Sequence, residues 1–369
     1  MKAAYSINTA PDEVTADFEK QFKGIKPRAI LLFSSPAIDP QALNEKMKKA
    51  FGNATIFGCT TSGEIVSGKM LKQSAVAMAF SDAVLDQIKL SVIEDVSKEN
   101  GVNQAFAAFE KHYRGSMLDL DPSKYVGIIL VDGLSKAEER LIDKIGDLTN
   151  VTFIGGSAGD DLQFKATQVF ADGKVYPNAA VLALLKPKVG FDFIKTQSFC
   201  PLDKELLATK VNEAEREVLQ FNNMPAARAY AEAVGASVEE ASKYFMTNPV
   251  GLMIDGEPYV RSPQQIKGNS MVFYCNVKEQ MKLSILKSTD IVDDTRKSVE
   301  AKKRELGNIK GIINFHCILR TLELEDKGQT EEYGIIFSDI PTIGFSTYGE
   351  QCIGHVNQTS TMLVFKSGK

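Results

Sequence analysis

Apolar residues fall along this chain in short unbroken runs separated by polar turns. Ala29-Ile30-Leu31-Leu32-Phe33 is the first run and predicts a buried strand. A helix is expected next, with Asp39 as N-cap, Pro40 in the first turn and Gly52 at the C-terminal end. Leu43, Met47 and Phe51 are spaced by four and mark its buried face. Ala54–Phe57 predicts a strand, Gly58–Gly63 a turn, Ala75–Phe80 a strand, and Leu85–Glu94 a further strand with alternating Ile88, Leu90 and Val92.

The same order then recurs. Val126–Val131 predicts a buried strand, and Ser135 with Glu138 forms a capping-box pattern for a helix carrying Leu141, Ile142, Ile145 and Leu148. Val151–Ile154, a turn from Gly155 to Asp160, and strands at Ala179–Leu185 and from Phe191 onward complete the second copy. A third copy reads from Gly311–Phe315 through Gly344–Glu350 to Thr361–Phe365. Aligned on their last glycine, the three turns place hydroxyls at Thr61, Ser157 and Thr347 and acids at Glu64, Asp160 and Glu350. Gly63 to Val76 and Gly349 to Met362 both span 13 residues, whereas Gly159 to Val181 spans 22. The extra length surrounds Ala171-Asp172-Gly173-Lys174, itself a hairpin-turn signal. The period is too long and uneven for a solenoid, so duplicated α/β modules are expected.

Between the second and third copies the texture changes. Glu205–Gly235 is rich in Ala and Glu and predicts helix interrupted near Pro225; Ser237–Tyr244 predicts another short helix. Strands are expected at Val250–Ile254, Glu257–Arg261 and Ser270–Asn276, with Asp255-Gly256 as a turn, then a long helix from Asp290 to Leu306 ended by Gly307. Its stripe of Ile291, Val292, Thr295, Val299 and Leu306 should cover a sheet. The expected fold is α/β, with two domains of related strand–helix–strand units and mixed sheets, residues 20–205 and 206–369.

Composition narrows the class. The 369 residues carry 43 Lys+Arg against 47 Asp+Glu, a net charge of −4, which gives no electrostatic reason for binding nucleic acid or an anionic membrane. No run of 18 apolar residues occurs, and Asp12, Glu13, Asp17 and Glu19 interrupt any signal-peptide core. Five cysteines, an odd number, suit free thiols in a reducing cytosol.

The motifs Gly58-Cys59-Thr60-Thr61-Ser62-Gly63-Glu64 and Phe153–Asp160, followed by Phe221–Ala227, Pro258–Arg261, Asn314–Arg320 and Gly344–Glu350, occur in order. Through them the sequence resembles the FIST family of sensory domains, with an N-terminal and a C-terminal FIST region covering about residues 26–365. The resemblance implies a ligand-binding sensor rather than an enzyme, with small polar ligands, amino acids among them. It also implies a separate signalling partner such as a histidine kinase, a chemotaxis receptor or a cyclic-dinucleotide enzyme, since the two FIST regions fill the sequence. Some similar proteins bind haem, so the cofactor stays open: haem needs one axial ligand, which His316 or His355 could supply.

The candidate binding residues follow the motifs. Glycine turns free backbone N–H groups for a polar or anionic group, which selects Thr61, Gly63, Thr347 and Gly349; the acids Glu64 and Glu350 could hold an ammonium. Arg261 and Arg320 stand at strand ends and offer planar forks for a carboxylate, with Asn314 and Cys317 in the same Asn-x-x-Cys-x-x-Arg motif as Arg320. The alternative is structural: glycines for close packing, carboxylates as caps, arginines in internal ion pairs, and Cys59 and Cys317 as buried thiols. His316 is adjacent to Cys317 and so faces the opposite side of a strand, which argues against a catalytic pair. Cys352 and His355 have chelating spacing but no second pair, so no metal site is expected.

Overall fold

The computed structural model describes residues 1–352 and 354–367. Among the described residues there are four sheets, three of them six-stranded and built on one plan. In the first, Pro27–Ser34 and Thr55–Thr60 run parallel, Ala75–Ser81 returns antiparallel beside Pro27–Ser34, and Lys2–Ser6 forms the edge. The second repeats this with Val126–Val131, Phe153–Ser157, Ala180–Pro187 and Leu85–Ile93. The third uses Ile309–Cys317, Thr342–Thr347, Thr359–Lys366 and Phe191–Gln197.

Each copy lends a hairpin to another copy's sheet. Glu64–Val66 with Lys69–Leu71 extends the third sheet, Val169–Ala171 with Lys174–Tyr176 extends the first, and Glu350–Cys352 with His355–Val356 extends the second. The exchange is cyclic and closes. The longer second copy is explained by it: the Asp172-Gly173 turn, with φ of 49° and 89°, is the tip of its donated hairpin.

The unbroken apolar runs follow from burial on both faces. Ala29, Leu31 and Phe33 point into one core with Ile128, Leu130, Ile313, Phe315, Phe345 and Phe365, drawn from all three sheets. Ile30 and Leu32 point the other way, against the helices Pro11–Gln21 and Pro40–Ala50. Ile129 and Val131 likewise meet Gly101–Tyr113 and Glu138–Leu148, and Ile312 meets Ile291–Leu306 and Ile318–Asp326. The rings of Phe33 and Phe345 lie 4.5 Å apart at the centre.

Residues 199–288 form the fourth, eight-stranded sheet, inserted between Phe191–Gln197 and the helix Ile291–Leu306. Here the helix expected over Glu205–Gly235 is corrected. Phe199–Asn212 is a long strand, Glu217–Phe221 another, Glu213–Glu215 between them a single 3-10 turn, and the α-helix is confined to Ala226–Val234. Pairing on both sides, with Lys282–Ser288 and with Glu217–Phe221, overrides the local preference of an Ala- and Glu-rich stretch. The short helix expected from Ser237 is a 3-10 turn at Ala241–Tyr244. The position between residues 205 and 206 lies within the strand Phe199–Asn212. The helix Ile291–Leu306 forms as read, with the Asp290 carboxylate accepting the Asp293 N–H at 2.8 Å and Gly307 closing it at φ 73°.

Candidate functional site

The three glycine turns meet. Ser62 N–H donates to the Ser346 carbonyl at 3.2 Å and Ser346 N–H to Gly63 at 2.8 Å; Gly159 N–H donates to Thr60 at 2.9 Å; Ser157 N–H donates to Gly349 at 2.9 Å and Tyr348 N–H to Ser157 at 3.2 Å. Every turn thus bonds to both others. The second turn is one residue shorter, so position in the strands pairs Thr60, Ser157 and Ser346 as counterparts rather than Thr61, Ser157 and Thr347. The glycines serve packing: a Cβ on Gly349 would stand 2.2 Å from the His355 ring, and Gly63 has φ +124°. Thr347 Oγ1 lies 2.7 Å from the Ser157 carbonyl and 2.8 Å from that of Gly349.

The acids beyond the turns are buried. Glu64 accepts from the Thr61 hydroxyl, and from the Ser74 N–H at 3.1 Å and its hydroxyl at 2.5 Å. Glu350 accepts from the Thr359 hydroxyl at 2.7 Å, while its Oε1 has no partner among the described residues. Burial pushes both carboxyls up to about 8. Burial and the neighbouring Glu350 likewise hold the Cys317 thiol well above its usual range, so it keeps its proton. Asp160 does different work. Its carboxylate accepts the N–H groups of Phe164, Lys165 and Ala166 at 2.9, 2.6 and 3.0 Å and the Tyr348 hydroxyl at 2.5 Å. That fixes a loop in which Asp161, Leu162 and Phe164 all have positive φ.

Arg320 stands in the first turn of the helix Ile318–Asp326, 1% exposed. Its guanidinium donates to Ser198, Thr196 and Thr295 hydroxyls at 3.2, 3.4 and 2.9 Å, and no carboxylate pairs with it among the described residues. Asn314 is spent in the core: its amide donates to the Tyr333 hydroxyl at 3.2 Å and its carbonyl accepts from Ser360 at 2.7 Å. Arg261 faces a separate groove between the inserted sheet and the helix Glu138–Leu148.

A cavity of about 180 Å³ lies where the inserted sheet meets the second and third copies. Cys317, Ile318 and Leu319 begin one wall at a helix start that has no side-chain cap. Tyr348 and Phe164, stacked with ring centroids 5.1 Å apart, form the next, and Leu134 and Leu162 lie at its rim. Val272, Phe273 and Tyr274 close it from the inserted sheet. Leu134, Leu162 and Phe164 are among the exposed large apolar residues of the surface. Asn357, 1% exposed, lines this cavity, and neither its amide nitrogen nor its oxygen has a partner among the described residues.

A latch crosses the same interface. Arg216, in left-handed backbone at φ 52°, reaches from the inserted sheet to Glu138 at 2.9 Å and Glu139 at 2.6 Å, and also donates to the Tyr274 carbonyl at 2.8 Å. Glu138 is therefore not the capping-box acid that its spacing suggested; the N-cap position is Ala137, and no side chain caps the helix. Glu138 instead accepts from Ser157 at 3.0 Å, and Ser157 accepts from Gln351 at 3.0 Å, which ties the latch to the meeting point of the turns.

Of the residues selected from sequence, Cys317 lines the cavity and Arg261 the groove. Thr61, Gly63, Glu64, Thr347, Gly349 and Glu350 gather at the joined turns, and Asn314 and Arg320 lie in the packing of the third copy. Tyr348 sat inside a quoted motif without being singled out. Asn357 and Arg216 carried no signal and Glu138 only that of a helix cap, since tertiary contacts alone bring them to the interface. Haem does not suit the residues present. His316 is sealed in the core with Nδ1 2.9 Å from the Tyr333 hydroxyl, and the groove beside His355 is lined by Glu139, Asp143, Lys144 and Lys278 rather than an apolar slot.

The FIST N domain model matches residues 28–224 and the FIST C domain model residues 226–353. The chain belongs to the FIST family, whose domains are associated with signal-transduction sensing. An uncharacterized protein of Methanocaldococcus jannaschii is 23% identical over 300 residues, covering 75% of this chain. The chain spans 57% of that relative's length.

Proposed function

We propose that this protein is a non-catalytic sensor that holds a small ligand in the cavity between the inserted sheet and the α/β body. The observation that carries the reading is Asn357, buried at the wall of a partly enclosed space that sets apolar side chains beside Lys136, Glu138, Glu215 and Arg216, with both amide groups unpartnered among the described residues. A ligand with an apolar body and one polar head would satisfy it, and amino acids with apolar side chains fit that description. Unpaired amide groups cost about 1–3 kcal/mol each when buried, so a ligand that pairs them recovers that free energy.

Occupancy would be reported by the pose of the inserted sheet. The cavity has walls on both units, and the Arg216 latch joins the same two units next to it. To convert a mostly unliganded pose into a mostly liganded one, the ligand must prefer the second by roughly 5.5 kcal/mol. On this reading the change of pose would be read in the cytosol by a separate signalling protein. A histidine kinase, a chemotaxis receptor or a cyclic-dinucleotide enzyme would serve. Native mass spectrometry of the purified protein should reveal a bound small molecule, and Asn357→Leu should lose it while keeping the melting profile. Retention of the compound by that variant would place it elsewhere.

A further inference from the structure

A second polar site stands on the far side of the Arg216 latch, in a groove of about 790 Å³. Arg261 lies at the end of the strand Glu257–Arg261, which pairs in register with Val250–Ile254 and packs on the hairpin strand His355–Val356. Its Nη1 donates only to its own strand, at the Val260 carbonyl 3.2 Å away, and its buried Nε has no partner among the described residues. His355 is 5% exposed, and its Nε2 has no partner either. Both hydrogens of the Gln351 amide are engaged, by the Ser157 hydroxyl at 3.0 Å and the Gly349 carbonyl at 3.1 Å, so the contact of that nitrogen with His355 Nδ1 at 3.4 Å leaves the ring free to carry its hydrogen on either nitrogen. A guanidinium N–H and an imidazole nitrogen, both buried and from different elements, therefore line one groove without a partner among the described residues. Beside them Asn276 Oδ1 is an acceptor without a donor, its own N–H being bonded to Glu139 at 3.0 Å.

We propose that this groove binds a small monocarboxylate that carries an O–H or N–H donor on the neighbouring carbon. The planar carboxylate suits the Arg261 fork, with His355 Nε2 beside it, and the adjacent donor group suits Asn276 Oδ1. Four carboxylates, Glu139, Asp143, Asp147 and Glu213, balance the four cations Arg140, Lys144, Arg261 and Lys278 in the lining, and a groove without excess positive charge favours a single negative charge over a phosphate dianion. This site is distinct from the cavity of the proposed function and does not require that cavity to be occupied.

The test is a titration of isotope-labelled full-length protein with L-lactate, propionate and inorganic phosphate, followed through the Arg261 Nε–H and His355 ring resonances. Lactate should shift both in a saturable way at millimolar concentrations, and propionate, lacking the donor, should bind several-fold more weakly. Arg261→Gln should weaken lactate at least tenfold with a well-dispersed spectrum, and Arg261→Lys, which keeps the charge but not the fork, should fall between. Absence of a saturable lactate shift, or an equal affinity for lactate in Arg261→Gln, would overturn the assignment. Phosphate binding as tightly as lactate would overturn the carboxylate class. These resonances report on the groove alone, so their outcome is separate from whether the cavity takes a ligand.

Discussion

Replacing Glu350 by Gln should flatten the dependence of stability on pH. Glu350 is fully buried at the joined turns, its Oε2 engaged by Thr359 and its Oε1 without a partner among the described residues, and burial lifts its carboxyl from the ordinary 4.5 to about 8. The raised value means that the folded state holds a proton which the unfolded state has lost between those two pH values. Stability from this group is therefore complete below about 4.5, falls as pH rises to about 8, and levels off above. At about 1.4 kcal/mol for each tenfold change in proton affinity, the full loss is roughly 5 kcal/mol, of which somewhat over half has occurred by pH 7. Glu64 is raised to about the same value and should contribute a similar fall, so the wild type carries two such groups. Gln copies the neutral acid: its oxygen can accept from Thr359 and its amide replaces the protonated oxygen. Urea unfolding at pH 5 and pH 9 should show Glu350→Gln within about 1 kcal/mol of wild type at the lower pH. At the higher pH it should be more stable by about 3–5 kcal/mol. Curves for the two proteins that fall in parallel from pH 5 to pH 9 would refute the reasoning, because they would show that Glu350 ionises in the fold without cost.

Gly155→Ala should cost more than about 3 kcal/mol, read as a lost or greatly lowered melting transition, because its Cβ would stand 1.7 Å from the Ile129 carbonyl oxygen in the neighbouring strand. Asp160→Ala removes the acceptor of three backbone N–H groups and one hydroxyl, so hydrogen exchange at Phe164, Lys165 and Ala166 should accelerate by at least about 10-fold while the core strands keep their protection. Arg320→Ala empties the site of one of the largest fully buried side chains and should destabilise by about 3 kcal/mol or more in denaturant titration. Arg216→Met leaves Glu138 and Glu139 without their cation, and limited proteolysis should then cut the connections on either side of residues 199–288 faster than in wild type.

The threefold repetition was legible because it rests on local signals. Runs such as Ala29–Phe33 and Val126–Val131 are apolar at every position only where a strand is covered on both faces, and caps such as Asp39 and Asp290 mark helices by their own side chains. The exchange of hairpins was not legible, since Glu64–Val66 carries nothing that names Thr342–Thr347 of a distant copy as its partner. Strand pairing at long range also explains the error over Glu205–Gly235: Leu206 and Ala208 are buried on the same face while exposed Lys and Glu separate the remaining apolar positions, which reads as helix until the neighbouring strands are known. The joined turns were anticipated as a group, from three acids following three glycines. The cavity was not, because Asn357 and Arg216 acquire meaning only through what surrounds them.

The joined turns bear on how a bound ligand could be felt beyond its cavity. Tyr348 belongs to both: its ring stacks on Phe164 at the cavity wall, and its backbone N–H bonds to Ser157 in the turn of the second copy. Ser157 in turn bonds Glu138, which holds Arg216 of the inserted sheet. A ligand that displaced the Tyr348 ring would therefore act on a hydrogen-bonded path leading both to the centre of the body and to the latch. The body is poorly suited to yield, because each sheet contains a hairpin from another copy and the turns are mutually bonded. The inserted sheet is held to it by fewer polar contacts, among them Arg216 with Glu138 and Glu139, Asn276 with Glu139, and Ser262 with Gln358 at 2.7 Å. If the two respond differently to ligand, displacement should concentrate in the inserted sheet, the unit that the exchange of hairpins leaves outside the interlocked body.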